Sequence, residues 1–213
     1  MKIQYKDKIL ETKEKTQISK LLKKEIEESE YMIVGANYNN EYVDLNKEIE
    51  EDGKIELIDI SSKEGMRIYK RTLIYIFAKA LKKMYPDNKA TVNYQLANAT
   101  YCGIGEIEVT EELVQKLNEE MRKIVKSDLP IEKKIMSRVE AEKFYEETKT
   151  ARGKLQYDLK SNQKIEMYYC EDYFNYCYGI LANHTGAIKI FEVIKYDKGL
   201  LLRYPSKEKP TQL

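Results

Sequence analysis

Residues 64–86, EGMRIYKRTLIYIFAKALKKMYP, decide how this chain folds. Apolar side chains recur there at spacings of three, four or seven, and they are Met66, Leu73, Phe77, Ala80 and Met84. This period predicts a helix that buries one face, because positions so spaced lie above one another on a helix. Pro86 then ends the helix. Arg71 and Tyr75 are four positions apart and therefore project from one face.

The composition indicates a folded protein with a highly charged surface. Of its 213 residues, 42% are hydrophobic and 34% are charged, and tyrosine supplies most of the aromatic side chains. The longest apolar run, residues 73–78, is far shorter than the roughly 20 residues of a membrane span. The first ten residues lack the apolar core of a signal peptide. We therefore predict a soluble cytoplasmic protein with no membrane partner, whose cysteines stay reduced: Cys102, Cys170 and Cys177.

The small net charge of +1 hides an asymmetry along the chain. Residues 1–61 carry 10 lysines against 15 acidic residues, a balance of −5, whereas the remainder has 27 basic and 21 acidic residues, a balance of +6. One interpretation is an ordinary solvated surface of mixed charge. The other is a mildly basic second part that meets phosphate groups, although the charge is too small to require nucleic acid.

Residues 1–61 have the pattern of a small unit of strands and one helix. KIQY and KILE are typical of strands around a turn at Lys6-Asp7, and a helical stripe follows Thr16. YMIVGANY and EYVDL predict strands joined through Asn39-Asn40, and KIELIDI predicts a last strand. Two strands, a helix and further strands are the order of a β-grasp fold.

Residues 62–213 have the pattern of an α+β domain, with helices packed on a mostly antiparallel sheet. VNYQLANATYCGI predicts a strand and a turn, and IGEIEV predicts a further strand. Thr110 is the expected N-cap of a second helix, which Asp128-Leu129-Pro130 ends.

The last third of the chain carries weaker signals. Ser137 and Glu140 have the spacing of a capping box at the start of a third helix. Gly153 is the expected break in a polar segment at residues 149–164. Antiparallel strands are predicted from Ile165 onward.

Residues 41–65, EYVDLNKEIEEDGKIELIDISSKEG, closely resemble the end of the TGS domain. This β-grasp module occurs at the N-terminus of threonyl-tRNA synthetases and of some other proteins. The matching features are V-D-L, E-E-D-x-K-I-E and the acidic exit into the next domain. The resemblance implies a small binding or docking unit in residues 1–61 rather than a catalyst.

Residues 62–213 resemble the second additional domain of threonyl-tRNA synthetases, which carries their editing site. The matching features are the helix ending K-K-M-Y-P-D, the run E-x-M-x-K-I-x-K-x-D-L-P-I-E at 119–132, the helix start S-R-x-E-A and the closing T-G. Together the two resemblances cover nearly the whole chain. They imply a β-grasp domain at 1–61 and an editing-like α+β domain at 62–213.

Residues 172–213 are also similar to bacterial nucleoside (uridine) kinase-like proteins, in which the same two modules precede a P-loop kinase. The ending L-L-L-R-Y-P-S-K-E-x-P-T carries this resemblance. No G-x-x-x-x-G-K-[ST] occurs in the 213 residues. The resemblance therefore implies that ATP, Mg²⁺ and phosphoryl transfer would belong to a kinase domain beyond Leu213.

Of the four residues of the editing reaction, the sequence retains only Cys177. Editing synthetases use H-x-x-x-H on the helix and C-x-x-x-H on a later strand to hold water and move protons. The resemblance carries the first pair onto Arg71 and Tyr75, and the second onto Cys177 and Leu181. Arginine stays protonated at neutral pH, tyrosine titrates at about 10, and leucine has no lone pair. We therefore predict no catalytic, cofactor-binding or metal-binding residue in this segment, since one thiol cannot hold a metal.

Four residues remain as candidates for a ligand cleft: Arg71, Tyr75, Cys177 and His184. Arg71 is either an ion-paired helix residue or a fixed cation for a phosphate or carboxylate. Tyr75 either packs in the core or stacks a base or sugar. His184, the only histidine, either bonds to the backbone of its loop, replaces a lost metal ligand, or binds a ligand. A cleft cation predicts that phosphate-bearing ligands stabilise the protein and that Arg71→Ala cancels the effect.

The predicted function is a non-catalytic accessory region of a nucleoside kinase-like protein. Its expected partners are a nucleotide, an RNA end or its own downstream kinase domain. One alternative is an altered aminoacyl-tRNA editing domain of the threonyl-tRNA synthetase type, whose deacylation would depend on Cys177. Another is a structural spacer that organises a homo-oligomer.

Overall fold

A computed structural model describes residues 1–148 and 164–213 of the chain. The break expected at Gly153 and nearly all of the polar segment around it lie outside the described residues. The helices are α1 (Ile18–Leu21), α2 (Lys23–Glu27), α3 (Lys63–Met84), α4 (Glu111–Lys126) and α5 (Arg138–Thr148). The first seven strands are β1 (Lys2–Tyr5), β2 (Lys8–Glu11), β3 (Thr16–Gln17), β4 (Ile33–Tyr38), β5 (Glu41–Val43), β6 (Glu48–Ile49) and β7 (Gly53–Asp59). The others are β8 (Ala90–Leu96), β9 (Ala99–Ile104), β10 (Glu132–Ser137), β11 (Lys164–Cys170), β12 (Tyr173–Tyr176), β13 (Glu192–Tyr196) and β14 (Gly199–Arg203).

The N-terminal sheet has the strand order β2-β1-β7-β4-β5, with β1 parallel to β7 and the other pairs antiparallel. Both predicted turns are present: Lys6 has a φ of 52°, and Asn39 and Asn40 have φ values of 52° and 67°. The β-grasp order is therefore confirmed. The predicted single helix is instead two short ones, α1 and α2, that meet at Leu22. The small pair β3 and β6 was not predicted.

Helix α3 is the predicted helix, and it is buried more widely than its sequence stripe suggests. The Ser62 side chain caps its first turn by accepting a hydrogen bond from Gly65 N at 3.0 Å. Side chains that the stripe left out, including Ile68, Tyr69 and Ile76, are also fully buried. The reason is that α3 contacts β4 and β7 of the N-terminal sheet as well as α4 and β12.

The second part of the chain contains two antiparallel sheets on this helix layer. One has the order β13-β14-β9-β8, and the other has the order β10-β11-β12. Helix α4 begins at the predicted cap, where the Thr110 hydroxyl accepts from Leu113 N at 3.2 Å. Helix α5 begins with the predicted capping box, because Ser137 N donates to the Glu140 carboxylate at 2.8 Å and Glu140 N donates back to the Ser137 hydroxyl at 3.3 Å. The α+β class is thus confirmed.

Two local predictions differ from the structure. IGEIEV does not form a strand: β9 ends at Ile104, Gly105 turns the chain with a φ of +46°, and residues 106–110 lead into α4. Strand β10 was missed, although it pairs with β11 from Glu132↔Tyr169 to Ser137↔Lys164. The domain boundary between residues 61 and 62 stays a prediction. Val34 and Ile58 of the N-terminal sheet belong to the same buried cluster as α3.

Among residues 1–148 and 164–213, no helix is both long enough and apolar enough to cross a membrane.

We predict that Gly65→Ala destabilises the protein strongly, because a Cβ at Gly65 would lie 1.8 Å from the carbonyl oxygen of Asp59. The Asp59 carbonyl ends β7 and the Cα that carries the new Cβ belongs to α3, so neither can move easily and the cost in unfolding free energy should be about 3 kcal/mol. Urea unfolding measures it. Gly103→Ala is the matched control, since its Cβ would meet side-chain atoms alone, the Thr91 hydroxyl at 2.7 Å and the Asn93 amide at 4.0 Å. Equal midpoints for the two variants would contradict the expectation.

Candidate functional site

Three polar side chains at every fourth position of α3 point toward the second half of the chain. Arg71, Tyr75 and Lys79 form this line, which we call the 71/75/79 row. Residues four apart lie on one helical face. Each member of the row directs its donor group at backbone carbonyls of β11, β12 or the segment that follows them.

Tyr75 lies in the middle of the row and is only 2% exposed. Its single hydroxyl proton is shared between the carbonyl oxygens of Tyr168 at 3.1 Å and Tyr173 at 3.2 Å. The ring makes an edge contact with the Tyr173 ring at 5.1 Å and packs with Ile131 and Leu181. Burial raises the pKa of Tyr75 far above the usual tyrosine range. The phenol therefore stays protonated and holds two strands against α3.

Arg71 is tied at both ends of its guanidinium group. Nη1 donates to the carbonyl oxygen of Ile180 at 3.0 Å, and Nη2 pairs with the Glu64 carboxylate at 3.0 Å. Gly179, with a φ of +91°, passes so close that a Cβ there would lie 2.8 Å from the guanidinium carbon. Arg71, which was considered above as a binding group for phosphate, is already bonded to a carboxylate and to a backbone carbonyl.

Lys79 is the member of the row that the sequence analysis missed. Its side chain is only 5% exposed, and Nζ donates to the carbonyl oxygen of Cys170 at 2.9 Å. Glu171 and Asp172, on the turn between β11 and β12, place carboxylates at 3.1 and 3.3 Å. Spacing is the signal that could have revealed it, because position 79 continues the four-residue repeat of Arg71 and Tyr75.

The segment after β12 places Cys177 and Leu181 beside the 71/75/79 row. These are the later pair of positions that the resemblance assigned to the editing reaction. Leu181 is fully buried against Tyr75, and Cys177 is half-buried in the same cluster. Two threonines fix the segment: Thr72 accepts from Ala182 N at 2.9 Å, and Thr185 donates to the carbonyl oxygen of Ile124 at 2.9 Å. The four positions that the resemblance assigned to hydrolysis therefore do meet in space.

His184 is not directed at this cluster. Its Nδ1 bonds to the carboxylate of Asp128, at the end of α4, and that carboxylate also accepts from Gly186 N at 3.0 Å. Burial alone would raise the pKa of Asp128, but the hydrogen bond and charge of His184 hold this pKa below its usual range. The expected bond from His184 to loop backbone is replaced by a side-chain pair. Asp128 was treated in the sequence only as a helix end.

The loop at residues 44–46, which follows strand β5 of the N-terminal sheet, contacts the same region. The Asn46 amide donates to the carbonyl oxygen of Ile131 at 3.4 Å and accepts from the Asn183 amide at 3.1 Å. Beside it, Asp44 lies 3.8 Å from Lys133 Nζ, and burial raises the pKa of Asp44 despite that cation. The loop at residues 44–46 thus contacts both segments that flank the Tyr75 cluster.

This arrangement offers little to hydrolytic or metal chemistry. The row donates hydrogen bonds and has no group that could accept a proton from water at neutral pH. Burial raises the pKa of the Cys102 thiol to about 12 and also raises that of Cys170, so neither is a ready nucleophile. In the part of the chain that the structure describes, no three His, Cys, Asp or Glu side chains are grouped to hold a metal ion.

Comparison with known proteins finds threonine–tRNA ligases. The chain is 32% identical over 181 residues to that of Anoxybacillus flavithermus, an alignment that covers 84% of this chain and 28% of the ligase. It is 29% identical to the ligase of Fusobacterium nucleatum over 182 residues, which cover 84% of this chain and 29% of the ligase. For the ligase of Clostridium tetani, the identity is 29% over 189 residues, with 88% and 30% covered. No protein-family model matches the chain.

The chain thus resembles a region of threonine–tRNA ligases over most of its own length, and it spans less than a third of the length of these relatives. This finding supports the synthetase-type alternative of the sequence analysis. It gives no support to the interpretation as an accessory region of a uridine kinase. The TGS assignment of residues 1–61 stays a prediction.

We predict that Tyr75→Phe lowers the unfolding free energy by about 1–3 kcal/mol, because two buried carbonyls lose their shared donor. Urea unfolding measures the loss. Tyr178→Phe removes a hydroxyl from a ring that is 87% exposed, and it should change the stability very little. Indistinguishable curves for the two variants would show that the Tyr75 hydroxyl does not hold the strands.

The pair of Asp128 and His184 predicts a pH-dependent contribution to stability. A carboxyl group whose pKa is lowered in the folded state stabilises above its unfolded pKa, and this contribution is lost as the pH falls through the lowered value. Asp128→Asn should therefore be less stable than the wild type near pH 6, with a gap that closes as the pH falls below the usual aspartate pKa of about 3.9. Asp87→Asn is the exposed control. A gap that does not change with pH would refute this role for Asp128.

Proposed function

We propose that residues 1–213 act as a threonyl-tRNA synthetase-type region that binds the end of an RNA without hydrolysing an ester bond on it. The relatives that cover most of this chain are threonine–tRNA ligases, which supports the class of partner. The altered site supports the absence of hydrolysis. The single observation that carries this proposal is Tyr75, a buried phenol bonded to two backbone carbonyls where an editing domain has a histidine.

The physical argument concerns the place of the attacking water. Deacylation requires a group that accepts its proton within hydrogen-bond reach. The Tyr75 ring, Ile131 and Leu181 fill the space between α3 and the later strands with apolar atoms. Cys177 is the one family residue retained, and none of the other three family positions carries an imidazole in this sequence. A bound ester would therefore remain intact.

The kinase interpretation remains a prediction about sequence outside these residues. Under it, ATP and Mg²⁺ would serve a downstream domain. Neither cofactor has a role in the binding function proposed for residues 1–213.

We predict that the protein leaves threonyl-tRNA and seryl-tRNA as stable as they are in buffer. Radiolabelled charged tRNA, incubated with the wild type, Cys177→Ala and the control Cys102→Ala, measures the rate of ester loss. The three proteins should give the rate of buffer alone. Deacylation above buffer that Cys177→Ala abolishes and Cys102→Ala preserves would instead identify an altered editing enzyme.

Binding is tested separately from hydrolysis. A ligand that binds only the folded state stabilises it by RT ln(1 + L/Kd), where L is the ligand concentration, so the melting temperature rises with the logarithm of ligand concentration above Kd. Uncharged tRNA should raise the melting temperature progressively. A melting temperature that stays constant as tRNA is added would rule out the proposed binding role, whatever the outcome of the ester assay.

A further inference from the structure

Strand β8 is an open edge of the four-stranded sheet. Residues 91–96 are all exposed, and the strand sequence ATVNYQL has no charged residue. Val92 and Tyr94 are 45% and 48% exposed. Soluble proteins usually protect an edge strand with charges, proline or a covering element. Within residues 1–148 and 164–213 nothing covers this edge, and an uncharged edge with exposed apolar side chains indicates an interaction surface.

Two tyrosine rings are stacked on the sheet face beside this edge. Tyr94 lies across from Tyr101 of β9, and their ring centroids are 4.8 Å apart at an angle of 20°. Tyr101 in turn lies over Gly199, where a Cβ would come within 2.8 Å of the phenol ring, and it makes an edge contact with Tyr196 at 6.0 Å. Tyr101 is therefore fixed from below, while Tyr94 is the outer, half-exposed ring of the stack.

Lys70 of α3 lies on the other side of the same strand, and two arginines lie near it on the helix. Lys70 Nζ donates to Gln95 Oε1 at 3.1 Å, and it has no carboxylate partner in the described part of the chain. Arg67 and Arg71 flank it on α3, and both pair with the single carboxylate of Glu64 at 3.1 and 3.0 Å. Burial and these two arginines lower the pKa of Lys70. Glu64 therefore pairs with the two arginines, and Lys70 lies beside β8 without a carboxylate partner among the described residues.

We propose that the β8 surface, with Tyr94 and Tyr101 on one face of the edge strand and Gln95, Lys70 and Arg67 on the other, binds single-stranded RNA. A base stacks on the open side of Tyr94, and the phosphates lie beside Lys70 and Arg67. Stacking on exposed aromatic rings together with backbone neutralisation is the means by which proteins hold single strands without reading their sequence. This inference rests on the proposed function, because it names the surface through which the RNA would be held.

The charge of the β8 surface favours single-stranded RNA over a second copy of the chain or an extended peptide. A second copy paired symmetrically along β8 would bring two sets of these cations toward each other, and like charges in an interface are unfavourable. An extended peptide would use the free backbone groups of β8 but would leave the stacked rings unused. A polyanion with flat bases uses both the rings and the cations.

Fluorescence anisotropy of a labelled ten-nucleotide single-stranded RNA, titrated with residues 1–213, tests the proposal. Tyr94→Ala should weaken binding about tenfold, and Tyr94→Phe should restore it, since stacking requires a ring and no hydroxyl. Tyr42→Ala is the matched control, because Tyr42 is 53% exposed on β5 of the N-terminal sheet. Lys70→Gln should reduce the slope of log K against log salt by about 0.7, the contribution of one phosphate on a single strand.

Two outcomes overturn the proposal, and they can be told apart. If the wild type binds RNA and Tyr94→Ala binds as well as Tyr42→Ala, the β8 surface is not the site, although the proposed function stands. If the wild type binds neither this RNA nor tRNA, the proposed function fails and this inference fails with it. Melting temperatures of the variants, measured without RNA, separate lost binding from lost folding.

Discussion

The fold depends on one constraint: helix α3 is buried on most of its circumference, so its polar side chains must find hydrogen-bond partners inside the protein. Burying an unpaired donor costs about 1–3 kcal/mol. The 71/75/79 row meets this constraint by donating to carbonyls of Ile180, Tyr168, Tyr173 and Cys170. In doing so it fixes the three-stranded sheet and the segment after β12 against α3. The side chains that could have served chemistry are thus committed to holding the structure.

This commitment supports the proposal that a region similar to part of a synthetase keeps its architecture and does not hydrolyse an ester bond. The positions occupied by catalytic residues in an editing domain lie between α3 and the later strands, where a hydrolytic site would need a polar, water-accessible space. Here Tyr75 and Leu181 fill that space with buried apolar surface. The contacts of Asn46 with Ile131 and Asn183 then hold the N-terminal sheet across it. Filling the space adds buried apolar area around Tyr75.

Local signals predicted much of this fold, because each acts within a few residues. The turn at Asn39-Asn40, the caps at Thr110 and Ser137 and the period of α3 are of this kind. Strand β10 was missed, since EKKIMS lacks a clear alternation and is defined by its pairing with β11, about thirty residues later in the chain. IGEIEV was mistaken for a strand because its alternating apolar residues outweighed the turn at Gly105. The sequence also could not show Lys79 as buried, or pair His184 with Asp128, 56 positions away.

The most direct test of this account places a histidine where the editing reaction would need one. Tyr75→His, compared with the wild type by urea unfolding and by the loss of radiolabelled ester from charged tRNA, measures both properties of that position. The account predicts a clearly less stable protein with no deacylation above buffer, because the site is a packed structural contact. A stable Tyr75→His protein that hydrolyses charged tRNA would contradict it, since the position would then be an accessible catalytic site.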